Sequence, residues 1–396
     1  MFERIKDVDH PDEELLSVYR EHGVVRREGR ADNFNKAALD RSIYQLIHPG
    51  WFVVNRMKAW QGSVGVSPYR GIVSGHYICF RPTHDEDHRF LNWLFRSGAY
   101  TAEYSSLSRG VRPNQVEIDN DWLRSLRVML PPLEEQRRIA DFLDAETSRI
   151  DKLVLLQEQV AKKLDERERA QLDSAVDRLA ERWGVVPLRR FLLGVDQGTS
   201  PQAEAVSAGL DEWGVLKVSC LRPGRFIHDE NKRLPPDLEP DIKHEVQAGD
   251  LLITRANTPQ LVGSTAVVGQ TRAKLLLSDK IFRVHLDKRM TGEFVAMVAR
   301  GTRIRDLCAA SSNGASQSMA NIRFEEVKAW PLPAADLDAQ NKAVRHVGQQ
   351  RASLDDLRTK IARQNLLLAE RRQSLITAAV TGQFDASTAS GRNVTE

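Results

Sequence analysis

A chain of 396 residues is too long for one ordinary hydrophobic core, so two or three domains are expected. Hydrophobic residues make up 41% and charged residues 28%, a balance that excludes intrinsic disorder. The net charge of +3 permits nucleic-acid binding without indicating it, because only patterned charge carries that information.

The N-terminus, MFERIKDVDHPDEELL, has no apolar signal core, and no run of about 18 apolar residues offers a membrane span. Cys79, Cys220 and Cys308 are far apart and odd in number, forming neither a disulfide framework nor a CxxC metal pair, which fits a reducing cytoplasm.

In chain order, the first globular region spans residues 1–131. Its apolar pair Val53-Val54 reads as a short buried strand, followed by a polar loop rich in Gly, Asn and Gln. Pro131-Pro132 then introduces a long amphipathic helix over 132–182, with Glu134 and Glu135 suited to its first turn. Core positions alternate four and three apart through Ile139, Leu143, Glu146, Ile150, Leu153, Gln157, Val160 and Leu164. A 3.5-residue repeat held this long marks a coiled-coil seam. Gly184 and Pro187 close the helix.

A second globular region follows over 183–332, with Leu251-Leu252-Ile253 as its buried strand. A second long helix spans 333–382, with core positions Ala343, Val347, Gln350, Leu354, Leu357, Ile361, Gln364 and Leu368, and a short tail covers 383–396. The two helices match without a gap: Leu133 meets Leu337, Gln136 meets Gln340, and Asp151 meets Asp355. The globular regions repeat more faintly. LLSVYREHGVV at Leu15 parallels VLKVSCLRPGRF at Val215, Gly50 and Arg56 stand opposite Gly249 and Arg255, and Ser74 stands opposite Ser278. The expected fold is therefore α+β, with two similar globular domains separated by two long antiparallel coiled-coil helices in a pseudo-twofold repeat.

That plan resembles the specificity subunit of type I restriction-modification systems over nearly the whole chain. The stretches that carry the resemblance are PPLEEQRRIADFLD, HPGWFVVNRMKAWQGSVGVSPYRGIVS, GDLLITR and the closing SLITAAVTGQFD. The resemblance implies that each globular region is a target-recognition domain reading half of a bipartite, asymmetric site in double-stranded DNA. It implies that the helices act as a ruler and dock two methyltransferase subunits, with restriction subunits joining the full complex. It implies no cofactor here, since S-adenosylmethionine, ATP and Mg²⁺ belong to the partners. The setting is cytoplasmic DNA methylation and phage defence. One departure stands out: WGVVPLRRFLLGVDQGTSPQ, which opens the second domain at Trp183, has no visible counterpart before Leu15. A misassigned start, a natural truncation, or completion of the first domain by C-terminal residues would each account for it.

No catalytic signature accompanies this plan. Gly263-Ser-Thr-Ala-Val-Val-Gly269 lacks the lysine of a phosphate loop, and neither HExxH nor a Cys/His zinc set occurs. The Asn/Asp-Pro-Pro-Tyr tetrapeptide of amine methylases is also missing. Glu326-Val327-Lys328 has nuclease-like spacing, but Ser125-Leu126-Arg127 at the equivalent place has no acid. His84-Asp85-Glu86-Asp87-His88 reads as a surface turn rather than a metal site.

The candidate DNA contacts lie in matching loops. Asn55, Arg56, Lys58, Trp60 and Gln61 form the first set, and Thr254, Arg255, Asn257, Thr258 and Gln260 the second. Arg pairs bidentately with guanine and Asn or Gln with adenine, while Lys, Ser and Thr more often hold phosphates. Ser108 and Arg109, with Asn313 and Gln317, occupy a further loop before the last strand of each domain, and Lys280 is a weaker candidate. Strand alternation would turn either Lys280 or Arg283 inward. The alternative is a coiled-coil scaffold with two protein-binding heads; Arg-containing polar loops at matching positions favour DNA.

Overall fold

The computed structural model describes residues 1–27, 40–110, 116–201, 206–311 and 320–384. They form two compact units, residues 1–158 with 362–396, and residues 159–361.

In the first unit, Phe52–Asn55 lies inside a four-stranded antiparallel sheet ordered Phe2–Ile5, Tyr77–Pro82, Phe52–Asn55, Val64–Val66. The segment is a strand because β-branched and aromatic residues follow Gly50, whose φ of +86° only glycine adopts without strain. Helix His88–Arg96 packs Phe90, Leu91, Leu94 and Phe95 into this core. The long helices complete it with Ile139, Ala140 and Leu143 from one, and Ile376, Ala379 and Val380 from the other. C-terminal residues thus do supply part of this unit's core.

The second unit repeats the sheet in the same order, Leu192–Gln197, Ile281–Leu286, Leu251–Thr254, Thr265–Val267. Helix Gly292–Val298 covers it, and Leu172, Ala175 and Val347 of the long helices enter its core. A parallel bridge joins Leu15 to Ile72 in one unit and Val215 to Leu276 in the other, as the faint sequence match implies. One expectation is corrected. Phe2–Ile5 occupies the sheet position of Leu192–Gln197, so part of the segment opening the second domain does have a counterpart before Leu15. Side-chain identity hides the match, because an edge strand is specified by backbone pairing more than by sequence. Val185–Phe191 is the part with no counterpart among the described residues.

The long helices span Leu133–Trp183 and Leu337–Val380. Their partners run in opposite senses. Asp151 pairs with Arg372 and Gln157 with Gln364 in the first unit, while Asp165 and Glu168 pair with Arg358 in the second. The α+β class, the duplicated sheets and the antiparallel helices are therefore as expected. The seam is less regular than its 4-3 alternation suggests. Ile139, Leu143, Ile150, Leu164, Val347 and Leu354 are buried, but Leu153, Val160 and Leu357 are 48%, 48% and 45% exposed. Where no sheet flanks the helices, bridging amides and ion pairs hold them instead.

The matched glutamines of the helix starts have a shared role. Gln136 Oε1 accepts from the Asp87 amide at 3.1 Å, and its Nε2 donates to Glu86 Oε2 and to the Pro131 carbonyl. Gln340 Oε1 accepts from the Thr291 amide at 2.9 Å, and its Nε2 donates to the Arg289 and Ala335 carbonyls. Asp87 and Thr291 are the N-caps of the two covering helices. Each glutamine therefore ties the start of a long helix to the cap of the helix over the sheet.

Candidate nucleic-acid interface

Both arginine loops leave the same strand of their sheets and are held by the same backbone bonds. The Arg56 amide donates to the His76 carbonyl at 3.2 Å, and the Arg56 carbonyl accepts from the Ile118 amide at 3.1 Å. The Arg255 amide donates to the Lys280 carbonyl at 2.8 Å, and its carbonyl accepts from the Ile322 amide at 2.9 Å. The loops then turn back through Gly62 and Gly263, whose φ values are +87° and +73°. A side chain at Gly263 would also collide with Cys308 Sγ, 2.4 Å from the added Cβ.

In the first loop, Arg56 is exposed and its Nε lies 3.0 Å from Glu117 Oε2. An exposed pair of this kind is worth little and exchanges readily for a phosphate or base edge. Lys58 is exposed, at the start of the short helical turn Ala59–Gln61, with Trp60 and Gln61 half-buried beside it. The Trp60 indole donates to the Met57 carbonyl at 3.2 Å, fixing the ring, and Asn55 Oδ1 accepts from the Met57 amide. Ser108 lies in a short ladder with Ile118, which adjoins the Arg56 loop, and its hydroxyl donates to the Tyr104 carbonyl. The Arg109 backbone pairs with Glu117 in that ladder.

In the second loop, Thr258 and Gln260 are exposed. Arg255 is half-buried, with Nη1 donating to the Asp279 carbonyl at 3.3 Å, and Lys280 is half-buried beside it. Two of the expected contacts face inward. Thr254 is 0% exposed; its hydroxyl donates to the Leu261 carbonyl and accepts from the Ser264 amide. Asn257 is 7% exposed; its Nδ2 donates to the Val218 carbonyl and its Oδ1 accepts from the Thr258 amide. Both set the loop's shape instead of presenting polar groups outward, because their strands pair on both sides and leave their side chains in the core. Asn313 and Gln317 lie outside the described residues.

Sequence reasoning missed Arg305, whose Nη1 and Nη2 donate to the Val262 and Gln260 carbonyls at 2.7 and 2.8 Å, clamping the second loop from beneath. A lone arginine in a helix carried no signal of that role. Arg283 is the inward member of the Lys280/Arg283 choice. It pairs with Asp196 and Asp250 and donates to the Glu245 and Lys243 carbonyls. The hydrogen bond from His285, followed by those from Arg283, holds the Asp196 carboxyl below its usual pKa. Burial pushes the Cys79 and Cys220 thiols up to about 12 and the Cys308 thiol up to about 11. The acids of His84–His88 and Glu325–Lys328 serve helix starts: Asp87 accepts from the Arg89 and Phe90 amides, and Glu326 from the Arg323 amide.

Known proteins match this arrangement. The type I restriction modification DNA specificity domain matches residues 21–160, which contain the whole Arg56 loop. The specificity subunit of the type I restriction enzyme EcoEI of Escherichia coli is 29% identical over 45% of this chain and 30% of its own length. That of EcoKI, from Escherichia coli strain K12, is 24% identical over 75% of this chain and 66% of its own length. The chain therefore spans less than two thirds of these curated relatives. A chain from a structure of the type I R-M system superposes with a TM-score of 0.64 at 15% identity, covering 97% of this chain and 98% of that one. The HsdS subunit of Thermoanaerobacter tengcongensis gives a TM-score of 0.51 at 16% identity, covering 97% and 94%. At these identities, the likeness to the solved structures is one of fold. No helix among the described residues is long and apolar enough to cross a membrane.

Proposed function

The chain is a relative of the type I restriction-modification specificity subunits, and from that premise we propose that it selects the DNA sequence on which such a complex acts. The observation that carries this reading is the pair of arginine loops, placed at equivalent positions of two similar units and held by equivalent backbone bonds. Two units with one scaffold and different loop residues read two different half-sites, giving a bipartite, asymmetric site with an unread gap. Arg56, Lys58, Trp60, Gln61, Arg255, Thr258, Gln260 and Lys280 form the contact set, joined by Ser108 and Arg109.

The chain itself catalyses nothing. Two methyltransferase subunits dock on the long helices and methylate adenine with S-adenosylmethionine, and restriction subunits add ATP- and Mg²⁺-dependent cleavage. The exposed leucines Leu153, Leu155, Leu156, Leu366 and Leu367 support the docking, since apolar side chains grouped on a helix surface mark protein interfaces. The complex works in the cytoplasm.

Sequencing the methylated genome of cells with and without this gene tests the proposal. One bipartite motif should vanish with the gene, and its persistence overturns the reading. The scaffold alternative is distinguished by salt: a DNA reader loses duplex affinity steeply as salt rises, whereas a protein-binding scaffold shows no such duplex binding.

A further inference from the structure

The two units differ at one place that their repeat makes legible. In the second unit, Val185–Pro187 pairs antiparallel with Pro331–Pro333. The turn that follows drives Leu188 and Phe191 into a core containing Phe282, Val327, Trp330 and Leu332. The Leu188 amide donates to the Trp330 carbonyl at 2.9 Å, fixing the segment's register.

The helix register that aligns Gln136 with Gln340 aligns Leu123, Leu126 and Val128 with Val327, Trp330 and Leu332. In the first unit these residues, with Phe52, Phe80 and Phe95, line a groove of about 780 Å³ beside the strand Phe2–Ile5. Among the described residues, no strand pairs with residues 126–130, and Met129 is 87% exposed. The first unit thus presents the apolar surface and the unpaired backbone that the second unit covers with its own chain.

We propose that this groove is a docking site for an extended apolar segment of a partner protein. The segment adds a strand antiparallel to residues 127–129 and seats two bulky apolar side chains spaced as Leu188 and Phe191 are. Main-chain pairing supplies affinity, and the two anchors supply specificity, as in other cases where a peptide extends a sheet edge. The proposal stands on the internal repeat and does not depend on DNA reading.

A labelled peptide copying residues 183–193, titrated into the full chain, tests it by fluorescence anisotropy and hydrogen exchange. Saturable one-to-one binding is expected, weakened by at least about tenfold when the peptide carries Leu188→Asp and Phe191→Asp. Val128→Asp in the chain should weaken binding comparably, with circular dichroism confirming that the variant folds. Amides of residues 123–130 should gain protection in the unmodified chain, whatever the fate of that variant. No binding, binding indifferent to the peptide substitutions, or protection confined to residues 327–333 overturns the proposal.

Discussion

Gln136 and Gln340 are wholly buried amides whose oxygens and nitrogens are all satisfied. Replacing Gln340 by leucine strands the Thr291 amide and the Arg289 and Ala335 carbonyls, at about 1–3 kcal/mol for a buried unsatisfied group. The second unit should lose that stability in urea unfolding while the first is unchanged. Arg283 raises the stakes, because it joins two carboxylates and two carbonyls at a site only 8% exposed. Arg283→Ala leaves buried acids unpaired and should cost about 3–5 kcal/mol. The same cluster sets an acid limit. Because Asp196 titrates lower in the folded chain than in the unfolded one, its contribution is present above the unfolded pKa and lost as pH falls through the folded value. The second unit should weaken below about pH 4, and Asp196→Asn should flatten that dependence in pH-jump unfolding. With their thiols raised and buried, none of the three cysteines should react with iodoacetamide at neutral pH until the chain is denatured.

The arginine loops concentrate function in short elements on a rigid sheet. Arg56→Ala and Arg255→Ala separate phosphate contact from base reading. Loss of a phosphate contact should weaken all duplexes alike and reduce the salt slope by about 0.9. Loss of a bidentate base contact should cost about 1–3 kcal/mol and relax the motif at one position. Duplex titrations at several salt concentrations distinguish the two. Arg305→Ala removes the clamp beneath Gln260 and Val262, and should blur the second half-site while leaving the first intact. The loops were legible because polar Arg-containing stretches follow buried strands in both halves. The inward turn of Thr254 and Asn257 was not, because burial of a particular loop side chain depends on which strands flank it.

At the scale of the whole molecule, the proposed modularity is open to exchange. Replacing residues 183–332 with the matching region of a relative should alter one half of the methylated motif, and changes in both halves would count against independent reading. Spacing is tested through the helices. Four-residue insertions placed together after Glu158 and Ile361 avoid Ala175, Val176 and Leu179, which pack in the second unit's core. Each insertion adds one turn, about 5.4 Å, on the order of one to two base pairs of gap. Methylome sequencing should show unchanged half-sites with a longer unread gap; an unchanged gap in an active variant removes the ruler role.

Periodicity and repetition belong to the chain itself, so the sequence alone determined the long helices, the duplicated plan, the buried strands at Val53-Val54 and Leu251-Leu252-Ile253, and the equivalence of Arg56 with Arg255. Local spacing suffices for these features, because 3.5- and 2-residue periods encode which face is buried. Only tertiary structure decided that Phe2–Ile5 shares the sheet position of Leu192–Gln197, and that Arg283 points inward while Lys280 stays at the surface. It also decided that Leu153, Val160 and Leu357 leave the expected seam, and that a groove in one unit lies where Leu188 and Phe191 fill the other. Each of these turns on which distant segments meet. Such meetings are set by the summed packing of a core and by backbone pairing that is nearly indifferent to side-chain identity.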